Sequence, residues 1–142
     1  MGNIIMATEL TLAMLAKSGS EEGHQRAVMQ WAALNMTKYP ELRWLHHVPN
    51  GATLGSTKED RMIRGAKMKA MGMKKGVFDL CLPVRKGDYS GLYLEMKKPG
   101  EKIKKDSEQE EFGKFVRTQG FIAMEADNYE LAIKILETYL TL

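Results

Sequence analysis

Two short apolar segments near the middle of the chain each enclose a carboxylate, and this constrains the fold more than any other feature. Gly76-Val77-Phe78-Asp79 leads into the first segment, 77–82, and Gly91-Leu92-Tyr93-Leu94-Glu95-Met96 forms the second, followed by Lys97. Both read as strands, and the polar Arg85-Lys86-Gly87-Asp88 connection is short enough to make them an antiparallel hairpin. Residues two apart on a strand share a face, so Glu95 and Lys97 point together while Leu94 and Met96 point the other way. An acid and an ammonium on the inner face of an apolar strand need a reason to be there.

The rest of the chain supplies helices around that hairpin. Ser20 is placed to cap a helix whose first turn carries Glu21 and Glu22 and whose apolar stripe is Ala27, Val28, Trp31 and Leu34. Pro40 ends it, and Arg43 to Val48 is expected to be a strand closed by the Pro49-Asn50-Gly51 turn. A second helix is expected from about Thr57 to Met71, stopped by Gly72. Ser107-Glu108-Gln109-Glu110 is a capping box opening a third helix, which runs to about Thr118. Phe121 to Glu125 reads as a strand, and Asn128 caps a last helix with Leu131, Ile135 and Leu136 facing inward. The order from residue 20 is α, β, α, β, β, α, β, α, an α/β fold with a mixed central sheet flanked by helices. Residues 1–19 form an N-terminal extension with a weak helical pattern, mobile or packed on a partner, and residues 20–142 form one domain.

Composition excludes several classes. At 142 residues, 44% hydrophobic and 27% charged, the chain has the balance of a globular domain, and no apolar run is long enough to cross a bilayer. No secretion leader is expected from the first fifteen residues, and the lone Cys81, inside a strand, reads as a buried core thiol in a reducing cytoplasm. The eleven methionines fall mostly at helical apolar positions and read as core. His24 reads as a helix-surface residue. Adjacent His46 and His47 point to opposite faces of a strand, which argues against zinc; either could line a DNA channel or be ordinary surface.

The net charge of +3 is modest but uneven. Lys58, Arg61, Arg64, Lys67, Lys69, Lys74 and Lys75 precede the first acidic strand, and five lysines lie between Lys97 and Lys105. Clustered positive charge suits a phosphate backbone. Lys67, Lys69, Lys74 and Lys75 are therefore candidate DNA contacts, of a kind that positions nucleic acid without reading its sequence. Asp79 and Glu95 offer hard oxygen ligands suited, with a backbone carbonyl and waters, to Mg²⁺ or Mn²⁺. Lys97 would then orient a nucleophilic water and offset charge on a phosphorane. The competing reading of these residues is a salt-bridged pair at a strand end.

The run Gly65-Ala66-Lys67-Met68-Lys69-Ala70-Met71-Gly72-Met73-Lys74-Lys75-Gly76-Val77-Phe78-Asp79-Leu80-Cys81-Leu82-Pro83, followed by Gly91 to Lys97, resembles the VRR-NUC family, the virus-type replication-repair nucleases of the PD-(D/E)XK superfamily. Ser20-Glu21 with Gln25 and Trp31, the Pro49-Asn50-Gly51 turn, Gln109 and the Gly120-Phe121 end extend the likeness over about residues 20 to 140. One departure is Phe78, where the superfamily usually has proline.

The resemblance implies a restriction-endonuclease-like fold. It implies that Glu21 joins the site from the first helix, with Glu22 as the alternative, that Asp79, Glu95 and the Met96 carbonyl bind metal, and that Lys97 is catalytic. Gln109 would contact phosphate or support the site, and Asn50 would contact DNA. The implied activity is a metal-dependent endodeoxyribonuclease on branched DNA, like a Holliday junction resolvase acting as a homodimer, in a bacterial or phage-infected cytoplasm, with no organic cofactor and no membrane. The alternatives are a structure-tolerant nickase or flap nuclease of DNA repair, an inactive DNA-binding module of the same fold, or an RNA nuclease.

Overall fold

The computed structural model describes residues 2–49 and 56–142, with side chains described from residue 9 onward; Asn50 and Gly51 of the expected turn lie outside the described residues. The elements are α1 (Gly2–Leu15), α2 (Glu21–Leu34), a 3₁₀ turn (Pro40–Trp44), β1 (His46–His47), α3 (Lys58–Ala70), β2 (Leu80–Leu82), β3 (Gly91–Met96), α4 (Glu108–Thr118), β4 (Phe121–Ala126) and α5 (Tyr129–Leu140). The sheet runs β1-β2-β3-β4, antiparallel except for the β3–β4 pair, which is parallel and bridged by α4. The expected mixed sheet flanked by helices is what the chain forms. Among the described residues no helix is long and apolar enough to cross a membrane.

Alternation along β3 divides the core. Leu92, Leu94 and Met96 join Leu80 and Leu82 in the main cluster, against Ala27, Val28 and Trp31 of α2 and Ala132, Leu136 and Tyr139 of α5. Tyr93 faces the other side, where Phe78, Val116 and Ala123 form a smaller cluster beneath α4. Glu95 and Lys97, in phase with Tyr93, therefore share the α4 side. Phe78 is a wedge in that cluster, its ring 5.4 Å from that of Phe112, which gives the residue in the usual proline position a packing role.

Capping sets the helix ends much as expected. Ser20, Thr57, Ser107 and Asn128 each accept a backbone N–H from three residues on, those of Gly23, Asp60, Glu110 and Leu131. Glu110 reaches back to the N–H of Asp106, one residue before the position an ideal capping box would use, because the Ser107 N–H already donates to the Lys104 carbonyl.

Several expectations need correction. Arg43 to Val48 is mostly not a strand: Pro40 starts a 3₁₀ turn, Leu42 and Leu45 are buried three residues apart, and only His46–His47 pair with β2. The strand expected over 77–82 is regular only from Leu80, since the Asp79 N–H goes to the Glu95 carboxylate rather than to a ladder carbonyl. Leu34 and Leu131 are exposed, with Ala32 and Ala132 taking the inward positions. His24 is buried, not on the surface; its Nδ1 accepts the Tyr129 N–H and its ring stacks on Tyr129, docking α2 onto the start of α5. Residues 2–15 form a helix that packs on α2, with Leu12 and Ala16 in the main core. Helix α3 is present, yet it buries none of its residues.

Gly76 is where the chain must pass α4. Its φ is +91° and an added Cβ would lie 2.7 Å from the Glu108 backbone, whereas Gly72, at φ +107°, has open space around it. Gly72→Ala should therefore cost only the backbone strain, about 1–2 kcal/mol, and Gly76→Ala clearly more, because backbone must move. Urea denaturation of both variants checks this; equal losses would contradict it.

Candidate active site

Continuing the β2–β3 register one residue beyond Leu80↔Leu94 sets Asp79 opposite Glu95. At that point the ladder is replaced by an exchange of side chains. The Asp79 N–H donates to Glu95 Oε1, and the Met96 N–H donates to Asp79 Oδ2, each at 3.0 Å. Both acids are buried, Asp79 3% and Glu95 1% exposed. Hydrogen bonds to charged groups contribute about 1.5–3 kcal/mol each, which offsets part of the cost of burying carboxylates.

The offset is incomplete. Burial first, then the Asp79 charge and a hydrogen bond between the two side chains, push the Glu95 carboxyl up to about 9, against the pull of the Asp79 N–H and of Lys97. The Lys97 ammonium lies 3.8 Å from Glu95 Oε2, with its side chain only 15% exposed. It donates to Gln109 Oε1 at 2.6 Å, while the Lys97 N–H is fixed on the Ala126 carbonyl. Thus β3 supplies the ammonium, β4 holds its backbone, and the first turn of α4 aims its tip.

The first turn of α2 brings a third acid. Burial raises the Glu21 carboxyl, and Asp79 raises it further, with Lys97 opposing and Glu101 adding to the rise. Glu21 is thus within electrostatic reach of the pair. Glu22, one residue on, turns outward and pairs with Arg26 at 2.8 Å. Helix rotation thus sends the two neighbours in different directions.

Met96 stands between Glu95 and Lys97 with its side chain in the main core and its N–H on Asp79. Lys67, Lys69 and Lys74 are exposed, and no contact among the described residues ties them to the carboxylates. Lys75 reaches Glu108 at 3.6 Å, beside Gln109. Asn50 lies outside the described residues.

Two residues next to the site were not singled out for it. His47 Nδ1 lies 2.9 Å from the Asp79 carbonyl and 2.9 Å from Gln25 Nε2. A protonated Nδ1 donates to the carbonyl and a bare one accepts from the amide, so either tautomer ties β1 to a neighbouring element. Gln25 sits one helical turn after Glu21, and that spacing was the signal available in the sequence.

Among the described residues no group of three His, Cys, Asp or Glu side chains is close enough to hold a metal alone. The chemistry of the donors nevertheless fits a hard divalent ion: two adjoining carboxylates, those of Asp79 and Glu95, at the end of a strand, offering oxygen ligands of the kind such ions prefer.

No family model matches the sequence, and no curated protein matches it. Among solved structures the fold matches a VRR_NUC domain protein, with a TM-score of 0.68 and 28% sequence identity over 87% of this chain and 89% of that one. The family likeness carried by the motifs and the fold class expected from them are both present in three dimensions.

The raised Glu95 carboxyl sets a pH dependence. The folded chain holds that proton from about the ordinary value, 4.5, up to about 9, whereas the unfolded chain releases it. Stability from this group is full below that window and is lost as pH rises through it, by at most about 1.4 kcal/mol per pH unit. With chelator present, denaturation should show the wild type weakening from pH 6 to 9 and Glu95→Gln weakening less. Parallel profiles would contradict this.

Proposed function

We propose that this chain, whose fold matches a VRR_NUC domain protein, is a Mg²⁺- or Mn²⁺-dependent endodeoxyribonuclease of the PD-(D/E)XK kind acting on branched DNA, in the manner of a Holliday junction resolvase. The observation that carries the reading is the buried Asp79–Glu95 exchange with the Lys97 ammonium 3.8 Å from it. A pair merely bridging two strands has no need of a third acid and an aimed ammonium.

Asp79, Glu95 and the Met96 carbonyl would hold the metal, with Glu21 completing the acidic set. Bound there, the ion supplies Lewis acidity toward a scissile phosphate and lowers the pKa of a water. Lys97 orients the attacking water and offsets the negative charge that grows as its oxygen bonds to phosphorus and the bond to the leaving sugar oxygen breaks. The attacking water releases its proton to solvent, and the leaving oxygen takes one up from solvent. Gln109 keeps the ammonium on this line. With its proton on Nδ1, His47 donates to the Asp79 carbonyl and positions that backbone; with Nδ1 bare, it accepts from Gln25 instead.

Two symmetric nicks need two active sites, so we place the chain in a homodimer. The outward side of α1 supports this: Leu10 and Met14 are 64% and 67% exposed while Leu12 is in the core. The buried free thiol of Cys81 is in keeping with a reducing cytoplasm.

Cleavage of a labelled four-way junction, beside linear duplex and flap DNA, tests the activity. Paired nicks dependent on Mg²⁺ or Mn²⁺ are expected, absent in Asp79→Ala and slowed about 10²- to 10³-fold in Lys97→Ala. Equal cutting of all three substrates would replace junction resolution with a nickase or flap activity. Binding without cutting in either metal would make the chain an inactive module. Light scattering should give two chains per particle for the wild type and one for the Leu10→Glu/Met14→Glu variant; a variant that stays dimeric removes α1 from the interface.

A further inference from the structure

The segment joining β3 to α4 carries Lys97, Lys98, Lys102, Lys104 and Lys105 against Glu101 and Asp106. A lysine-rich loop of this kind is ordinarily a mobile, solvated stretch, because like charges repel and little apolar surface ties it down. Here it is fastened at four points. The Gly100 N–H donates to Asp127 Oδ2 at 3.0 Å, and the Ile103 N–H donates to Glu125 Oε2 at 2.6 Å. The Ile103 side chain packs against the Phe78, Val116 and Ala123 cluster, and the Ser107 hydroxyl donates to the Lys104 carbonyl at 2.6 Å. Glu125 is the register partner of Glu95 in the neighbouring strand, so the loop is moored one strand away from the site itself.

The mooring leaves the lysine heads outside. Lys98 pairs with Glu101 at 3.2 Å, while among the described residues no carboxylate lies within 4 Å of the Lys102, Lys104 or Lys105 ammonium. A second pair, Lys74 and Lys75, arrives at the same helix end from a different part of the chain. Lys75 reaches Glu108, and Gly76 is pressed against the Glu108 backbone. Gln109, the next residue, holds Lys97. The loop lysines and the Lys74–Lys75 pair therefore flank the start of α4, and the residue between them and the carboxylates is the one that aims the active-site ammonium.

We propose that Lys102, Lys104 and Lys105, together with Lys74 and Lys75 across the start of α4, form a pre-shaped track for the sugar-phosphate backbone of DNA that leads to Lys97. This rests on the nuclease reading for the identity of its polyanion. Several cations carried on a moored backbone suit a chain of phosphates better than a single small anion, and mooring that backbone beforehand lowers the entropy lost on binding. Lys67 and Lys69, on a helix that buries nothing, lack such anchorage. Glu108 stands within the track, its carboxylate facing Lys75 where a phosphate would compete for the ammonium.

Anisotropy of labelled duplex DNA binding to the full chain, in chelator and over a range of salt, tests the track without any cleavage. The Lys102→Ala/Lys104→Ala/Lys105→Ala variant should bind at least about tenfold more weakly and lower the slope of log affinity against log salt by about 2–3, as the loss of three phosphate contacts requires. Lys67→Ala/Lys69→Ala should change the slope by less, and Glu108→Gln should tighten binding. A triple variant with unchanged slope, or a Lys67/Lys69 variant with the larger effect, overturns the proposal. Because no metal is present, a chain that cuts nothing can still show the track, and a chain that cuts with an unaltered slope refutes the track alone.

Discussion

The Asp79 N–H held by the Glu95 carboxylate, and the Met96 N–H held by the Asp79 carboxylate, form the constraint on which the rest of the structure depends. Each carboxylate accepts the hydrogen bond that a ladder carbonyl would otherwise take, so regular pairing of β2 begins only at Leu80. Two acids are thereby held side by side in an almost water-free position, at the end of a strand rather than in its middle. The arrangement is costly, as the rise of the Glu95 carboxyl to about 9 records, and such costs gather where function requires them.

Everything else aims groups at that point. Helix α2 brings Glu21 within reach through a Ser20 cap, and α4 brings Gln109 through a Ser107 cap, so two helix starts converge on one strand end. The buried His24 fixes α2 against the beginning of α5, and His47 at the sheet edge contacts the Asp79 carbonyl. Phe78 and Gly113 set how closely α4 approaches, since a Cβ on Gly113 would meet the Phe78 ring at 3.0 Å. The elements that support the site are thus packed into two different core clusters.

The parts legible in the sequence are those governed by local periodicity and capping. The hairpin, the shared phase of Glu95 and Lys97 and the helix caps at Ser20, Ser107 and Asn128 all follow from spacings of two, three or four residues, whereas the Thr57 cap emerges only in the structure. The spacing to Gln25 already favours Glu21 over Glu22, while the outward pairing of Glu22 with Arg26 depends on helix rotation that packing sets. The Arg43 to Val48 run looks like a strand by composition, yet the 3₁₀ spacing of Leu42 and Leu45 after Pro40 turns it into a corner. His24 looked superficial because its partner, Tyr129, is 105 residues away. The lysine loop was visible as charge, but its mooring to Asp127 and Glu125 depends on β4 lying beside β3.

If Asp79 and Glu95 are held together in order to bind a divalent ion, the folded chain should take up that ion through both of them. Calorimetric titration of Mn²⁺ into the metal-free protein, compared with the Asp79→Asn/Glu95→Gln variant shown by circular dichroism to be folded, tests it most directly. The account predicts saturable binding in the wild type that disappears in the variant. Equal binding by both, or none by the wild type, would reduce the pair to a strand-bridging contact.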